Sequence, residues 1–262
     1  MPAVFPAYAR VFHPAARTVT GGGTDVRWAE VAAAHGRVMH PLAQWAHINP
    51  PLPGEASDPD HWGRNLGHIN PRPGVWDDEP LLGRMPTALA ARLATILARF
   101  TRTPQRCWLA VWDGFSDLAP QWLAAPQFEL PNRGMRLLTG PAAAAAAPLS
   151  DERRPDRRDT TPARAVVTAT WIGDGPPPVN GPRRPWHLHP NLWWPDDRAW
   201  CVATEIDLTS TYVGGGIEAI GAILADPRLE ALPAHADHPI TWDSDVINRR
   251  PPTAPTQRTN DE

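Results

Sequence analysis

Between residues 198 and 208 apolar and polar side chains alternate. Trp200, Val202, Thr204, Ile206 and Leu208 share one face, and Cys201, Ala203, Glu205 and Asp207 share the other. A period of two marks a strand. Residues 211–213 continue extended, Gly214-Gly215-Gly216 reads as a positive-φ turn, and 217–225 reads as a helix with Ile217, Ile220 and Leu224 on one side. Asp226-Pro227 ends it. The 86–100 stretch has the other period: Leu89, Leu93, Ile96, Leu97 and Phe100 form one apolar stripe, with Pro86 at the first helical position. Pro104 forces an exit into a strand over 106–112, which sets Cys107, Leu109 and Val111 against Arg106, Trp108, Ala110 and Trp112.

Weaker patterns fill the rest. Residues 8–13 read as a short strand with Tyr8, Arg10 and Phe12 on one face and Ala9 and Val11 on the other. Residues 18–24 contain three consecutive glycines and read as a loop, followed by a helix over 26–35 carrying Trp28, Val31 and Ala32 and stopped by Gly36. The Pro-rich stretch 44–76 reads as a long connection, a functional cover or a mobile segment. Segments 127–130 and 135–139 flank Pro131-Asn132-Arg133-Gly134, a hairpin turn with its glycine in the left-handed position. From 141 to 190 the pattern dissolves into an alanine run, a dense Arg/Asp tract and prolines, with one brief strand at 166–172. So little apolar area cannot offset the entropy of ordering, and 141–190 is expected to be a disordered Pro/Arg-rich insertion, with 249–262 a disordered tail. The expected fold is α+β: one domain over 1–248, mostly antiparallel sheet with two or three packed helices, interrupted by 141–190.

Composition narrows the chemistry. The 262 residues are 42% apolar, and the net charge of −3 leaves no basic footprint for nucleic acid. All 25 basic residues are Arg, so lysine-dependent chemistry such as a Schiff base or a phosphate-loop lysine is excluded. Together with 33 Pro and abundant Ala and Gly, the absence of Lys matches GC-rich coding. The N-terminus lacks a secretory pattern and no apolar run is long enough to span a bilayer, so a cytoplasmic protein with no membrane association is expected. Cys107 and Cys201 lie far apart and outside any C-x-x-C motif.

Four constellations are candidates for function. Glu205 and Asp207, at strand spacing, would stand roughly 6–7 Å apart on one face, with Asp196 and Asp197 in the preceding turn. Such a set suits a metal-assisted or hydrolytic enzyme, or a solvated sheet face paired with Arg. Gly214, Gly216 and Ala219 fit a G-x-G-x-x-[GA] pattern, but only 46 residues follow Gly216, too few for a dinucleotide fold, and no cofactor is expected. His187-x-His189, with His61 or His68 as a third ligand, resembles a metal edge but reads better as a loop pair, and no metal is expected. Trp193-Trp194, within 13 Trp, are adjacent in a turning segment, so at least one indole should remain accessible as an interface anchor.

The segments LWWPDDRAWCVATEIDLTSTYVGG, ILADPRLEA, WLAVWDGF and ELPNRGMRLLTGP resemble those of a family of hypothetical proteins from GC-rich bacteria of the actinobacterial type, over 106–140 and 191–231. The resemblance implies no activity and assigns no site residue. The expected function is a non-enzymatic protein-binding or regulatory module acting through Trp193 and Trp194, with a protein partner. The alternative is a hydrolase or metal-assisted enzyme using Glu205 and Asp207.

Overall fold

A helix forms at Thr87–Leu97 (α3) because its apolar residues recur every three or four positions, burying Leu89, Leu93, Ile96 and Leu97 together. Pro86 is its N-cap and not its first helical residue, and Leu97 runs into a single tight turn over Ala98–Phe100. The structure, a computed structural model, describes residues 1–19, 22–50, 74–150, 187–241 and 243–248. Its fold is α+β. In chain order the strands are β1 (Ala7–Phe12), β2 (Ala15–Val19), β3 (Gly22–Val26), β4 (Cys107–Trp112), β5 (Gln127–Leu130), β6 (Arg133–Gly140), β7 (Leu192–Pro195), β8 (Trp200–Thr204), β9 (Ser210–Gly215) and β10 (Ala231–Ala234). The other helices are α1 (Trp28–Ala34), α2 (Trp45–Ile48) and α4 (Ile217–Leu224).

Eight strands form one antiparallel sheet in the order β10-β1-β9-β8-β7-β4-β6-β5, and β2 with β3 make a separate hairpin. One face of the large sheet is covered along its length. Ala9, Val11, Val213, Val202, Trp200, Trp193, Leu109 and Cys107 point there, into the apolar sides of α3 and α4. On the other face the two halves of the sheet differ. Over β1, Phe12 packs with Trp28, Val31, Trp45, Ile48 and Trp76 from α1, α2 and the chain around them. That cluster takes no residue from β4–β8.

Several sequence expectations change. Of the loop expected over 18–24, residues 18–19 and 22–24 are strand: β2 and β3 pair from Ala15↔Val26 to Val19↔Gly22. A glycine run hides a strand because it has no side chains to alternate. The strand expected over 198–208 stops at Thr204, since Leu208 N–H closes onto Glu205 O at 3.1 Å and reverses the chain. Ile206 therefore sits half-buried in a turn and not in the core. On α4 the buried positions are Ala219, Ile220 and Ile223, whereas Ile217 is 72% exposed. In the β5–β6 hairpin the left-handed residue is Asn132 at φ 64°, while Gly134 already lies within β6.

The disordered insertion also needs correction at both ends. Ala142 and Ala145 are buried on the α3 side of the sheet, at the spacing of three natural to the tight helix Ala142–Ala146. Leu149 N–H donates to Leu188 O at 2.7 Å, and both side chains pack on Val111 and Leu118. The rest of that expectation (151–186, with the strand at 166–172), most of the long connection (51–73) and the tail at 249–262 lie outside the described residues.

Candidate functional site

Trp193 and Trp194 separate onto opposite faces, as neighbours in a strand must. Trp193 is fully buried and meets Trp200 edge to face with centroids 5.2 Å apart. Trp194 points to the other face, where it is half-buried directly opposite Trp108 of β4. Leu192 and Trp112 share that face by alternation, and Leu137 joins it as the partner of Ala110. None of Trp108, Trp112, Leu137, Leu192 and Trp194 belongs to a buried hydrophobic cluster among the described residues. This half of the sheet is an aromatic and aliphatic surface without a described helix upon it.

Charges border it. Trp108 donates its indole N–H to Asp196 Oδ1 at 3.3 Å, and Asp196 also faces Arg106 at 3.4 Å. At the other end the Arg133 guanidinium lies over the Trp112 ring at 5.9 Å from its centroid. The same guanidinium reaches Glu205 Oε1 at 2.5 Å and Asp207 Oδ2 at 3.0 Å. Both carboxylates are exposed in the β8–β9 turn and do not stand on a strand as the sequence pattern suggested. They form a surface ion pair on one arginine.

Asp197 has a structural task. Its carboxylate accepts from Thr101 Oγ1 at 2.7 Å, Arg102 N–H at 2.8 Å and Ala199 N–H at 3.2 Å, tying the β7–β8 turn to the chain just beyond the tight turn Ala98–Phe100. Burial opposes its ionisation, yet these donors and the Arg102 charge hold it below the ordinary carboxylate range. His189 is buried and shares a hydrogen bond of 2.9 Å with Thr87 Oγ1; burial pushes it down to about 4, so it is neutral at pH 7. His187 lies 6.5 Å from it, centroid to centroid, while His61 and His68 fall outside the described residues. Among the described residues no group of three metal-ligating side chains converges. Cys107 and Cys201 are buried on opposite faces of the sheet, and burial pushes their thiols up to about 11 and about 12. The triple glycine is no positive-φ turn. Gly214 sits in β9 where an added Cβ would come within 2.5 Å of the Phe5 ring and 2.8 Å of the Tyr8 ring.

Sequence reasoning missed a buried polar centre beneath the loop that leads into α2. Arg10 of β1 is 1% exposed, lies 4.7 Å from the Phe12 ring centroid, and is flanked by the rings of Trp28 and Tyr212. It donates to Ser210 Oγ at 2.9 Å, to Pro41 O at 2.9 Å and to Ala43 O at 2.8 Å. The only advance signal was an arginine between Tyr8 and Phe12 on one strand face. Across the sheet, fully buried His13 donates from Nδ1 to Leu81 O at 3.2 Å, and its Nε2 accepts from Thr211 Oγ1 at 2.8 Å. Thr211 in turn meets Thr204 Oγ1 at 2.7 Å. Among the described residues no helix is long and apolar enough to cross a membrane. Compared with protein-family models, with curated proteins and with solved structures, the chain matches none.

Proposed function

We propose that this chain is a non-enzymatic binding module whose sheet face centred on Trp194 and Trp108, without a described helix upon it, receives a protein partner. One observation carries the reading: two indoles stand side by side on a half-buried sheet face that no described hydrophobic cluster includes. Tryptophan anchors of this kind dominate the energetics of protein interfaces, and an apolar face edged by charge is the usual anatomy of one. Asp196 and Arg106 at one end and Arg133, Glu205 and Asp207 at the other supply that edge. With mixed charge there and a net charge of −3 overall, the partner is a protein and not a nucleic acid. A reducing cytoplasm, where two unpaired thiols persist, is part of the same proposal, as is kinship with the GC-rich bacterial family resembled over 106–140 and 191–231. The enzyme alternative draws less support, because Glu205 and Asp207 share one arginine in an exposed turn.

The test places a photo-crosslinking amino acid at position 194, and in a second protein at 217 on the far side, in the native host. Crosslinking of one discrete partner from 194 and not from 217 is expected. Trp194→Ala should weaken the purified complex by about tenfold or more. An unchanged affinity in Trp194→Ala overturns the proposal.

A further inference from the structure

Residues 243–248 reverse the usual rule of burial. Ser244, Asp245 and Asn248 are buried, whereas Val246 and Ile247 are 57% and 59% exposed. The buried polar groups are the informative departure. Among the described residues no hydrophobic cluster includes a residue of this segment. Polar contacts hold it. Asn248 Oδ1 accepts from Val38 N–H at 2.9 Å, and Asn248 Nδ2 donates to Val38 O at 2.8 Å. Gln44 Nε2 donates to Ser244 Oγ at 2.9 Å. The Asp245 carboxylate, with no side-chain exposure, accepts from His40 Nε2 at 2.8 Å and from Gln44 N–H at 3.2 Å. It also accepts from Asn248 N–H at 2.8 Å and Asn248 Nδ2 at 3.0 Å within its own segment.

The partner of this segment is the loop 38–44, whose Pro41 and Ala43 carbonyls receive the buried Arg10 guanidinium. Other ionisable groups face the same point. His47 Nδ1 from α2 lies 3.8 Å from Asp245 Oδ2, Arg10 from β1 is drawn to the Asp245 charge, and Tyr212 from β9 borders Arg10. Asp243, beside the attachment, is exposed.

We propose that residues 243–248 are a releasable clasp, attached through the Asp245 carboxylate in place of apolar packing, which holds the 38–44 loop closed over Arg10 and opens together with it while the sheet stays intact. Water replaces each clasp hydrogen bond on release, so each contributes little net free energy, and the apolar side chains drawn from a cluster are only Ala43 and the half-buried Met39 of the loop. Elements attached in this way belong to the low-stability end of a fold and open as local units. Opening removes two acceptors from Arg10 and uncovers a cation set among three aromatic rings.

Hydrogen exchange of the full-length protein at pH 7, read by mass spectrometry, tests this. Peptides over 38–44 and 243–248 should show matching protection, below that of β8 and β9. Asp245→Asn turns an acceptor into an amide whose N–H groups face existing donors. It should speed exchange in both peptides by about tenfold or more and leave β8 and β9 within about twofold. Asn248→Asp sets a second carboxylate against Asp245 and serves as the same reading if Asp245→Asn does not fold. Unchanged exchange, faster exchange in 243–248 alone, or equal acceleration in β8 and β9 each overturns the clasp.

Discussion

Trp200 donates its indole N–H to Leu97 O at 2.9 Å, binding the centre of the sheet to the last turn of α3. Both residues are fully buried. Trp200→Phe should leave that carbonyl without its donor and cost about 1–3 kcal/mol, and Leu97→Ala should cost about 2–5 kcal/mol through its cavity. Urea titration checks both. A Leu97→Ala midpoint equal to the parent's would mean the stripe on α3 does not face the core.

The two neighbouring indoles should behave differently. Trp193→Ala empties a fully buried site and is expected to cost about 3–5 kcal/mol. Trp194→Ala removes a half-buried cross-strand partner of Trp108 and should cost only about 1–2 kcal/mol. Equal losses in thermal or urea unfolding would contradict the division of the pair between the two faces.

Acid should weaken the fold through His13. Its imidazole is pushed down to about 4, by burial first and by the nearby Arg10 charge, while the unfolded chain keeps a value of 6.5. The folded form therefore refuses a proton that the unfolded form accepts. Stability is complete above pH 6.5 and falls as pH drops towards about 4, by about 1.4 kcal/mol per unit per such histidine. His189, also near 4, adds a parallel loss. Unfolding free energies at several pH values should slope less in His13→Asn; an identical slope refutes the assignment.

Arg133→Gln should alter stability by no more than about 1 kcal/mol, because Glu205 and Asp207 are 45% and 53% exposed and water screens both pairs. The small difference should shrink further in 1 M salt, to roughly nothing. A loss of several kcal/mol, insensitive to salt, would show that the β8–β9 turn depends on this arginine.

The glycines make a sharp contrast. Gly214→Ala should be strongly destabilising, since its Cβ would meet the Phe5 and Tyr8 rings at 2.5 and 2.8 Å. Gly216 has nothing within 4 Å and φ −62°, so Gly216→Ala should cost under about 1 kcal/mol. Melting temperatures of the two variants decide it, and the opposite ranking would count against the packing account.

What the sequence displayed depended on how loudly side chains spoke. Leu89, Leu93, Ile96 and Leu97 declared α3, and Trp200, Val202 and Thr204 declared β8, because each set repeats with its element's own period. Ala142 and Ala145 passed for low complexity, since alanine marks burial weakly even where it packs on α3. Arg10 was invisible for another reason. Whether an arginine can be buried depends on distant carbonyls, here Pro41 and Ala43, which no local pattern reveals. Trp194 was legible in part: adjacency foretold that one indole would stay accessible, but its pairing with Trp108 came only from strand register.

The strand order carries a consequence for synthesis. The first strand, β1, lies between β9 and β10, pairing Ala7 with Gly215 and Tyr8 with Ala234. Nascent β1 must therefore wait for partners some two hundred residues downstream, roughly 10–40 s at ribosomal rates of about 5–20 residues per second. The β4–β6 ladder and the β5–β6 hairpin need only nearby sequence and can form while translation continues. During that delay Val11 lacks its sheet neighbours, whereas Phe12 can already pack against Trp28, Val31 and Trp45, which follow it closely in the chain. Late closure of the sheet around β1, after the β4–β6 region has paired, is the assembly sequence this topology favours.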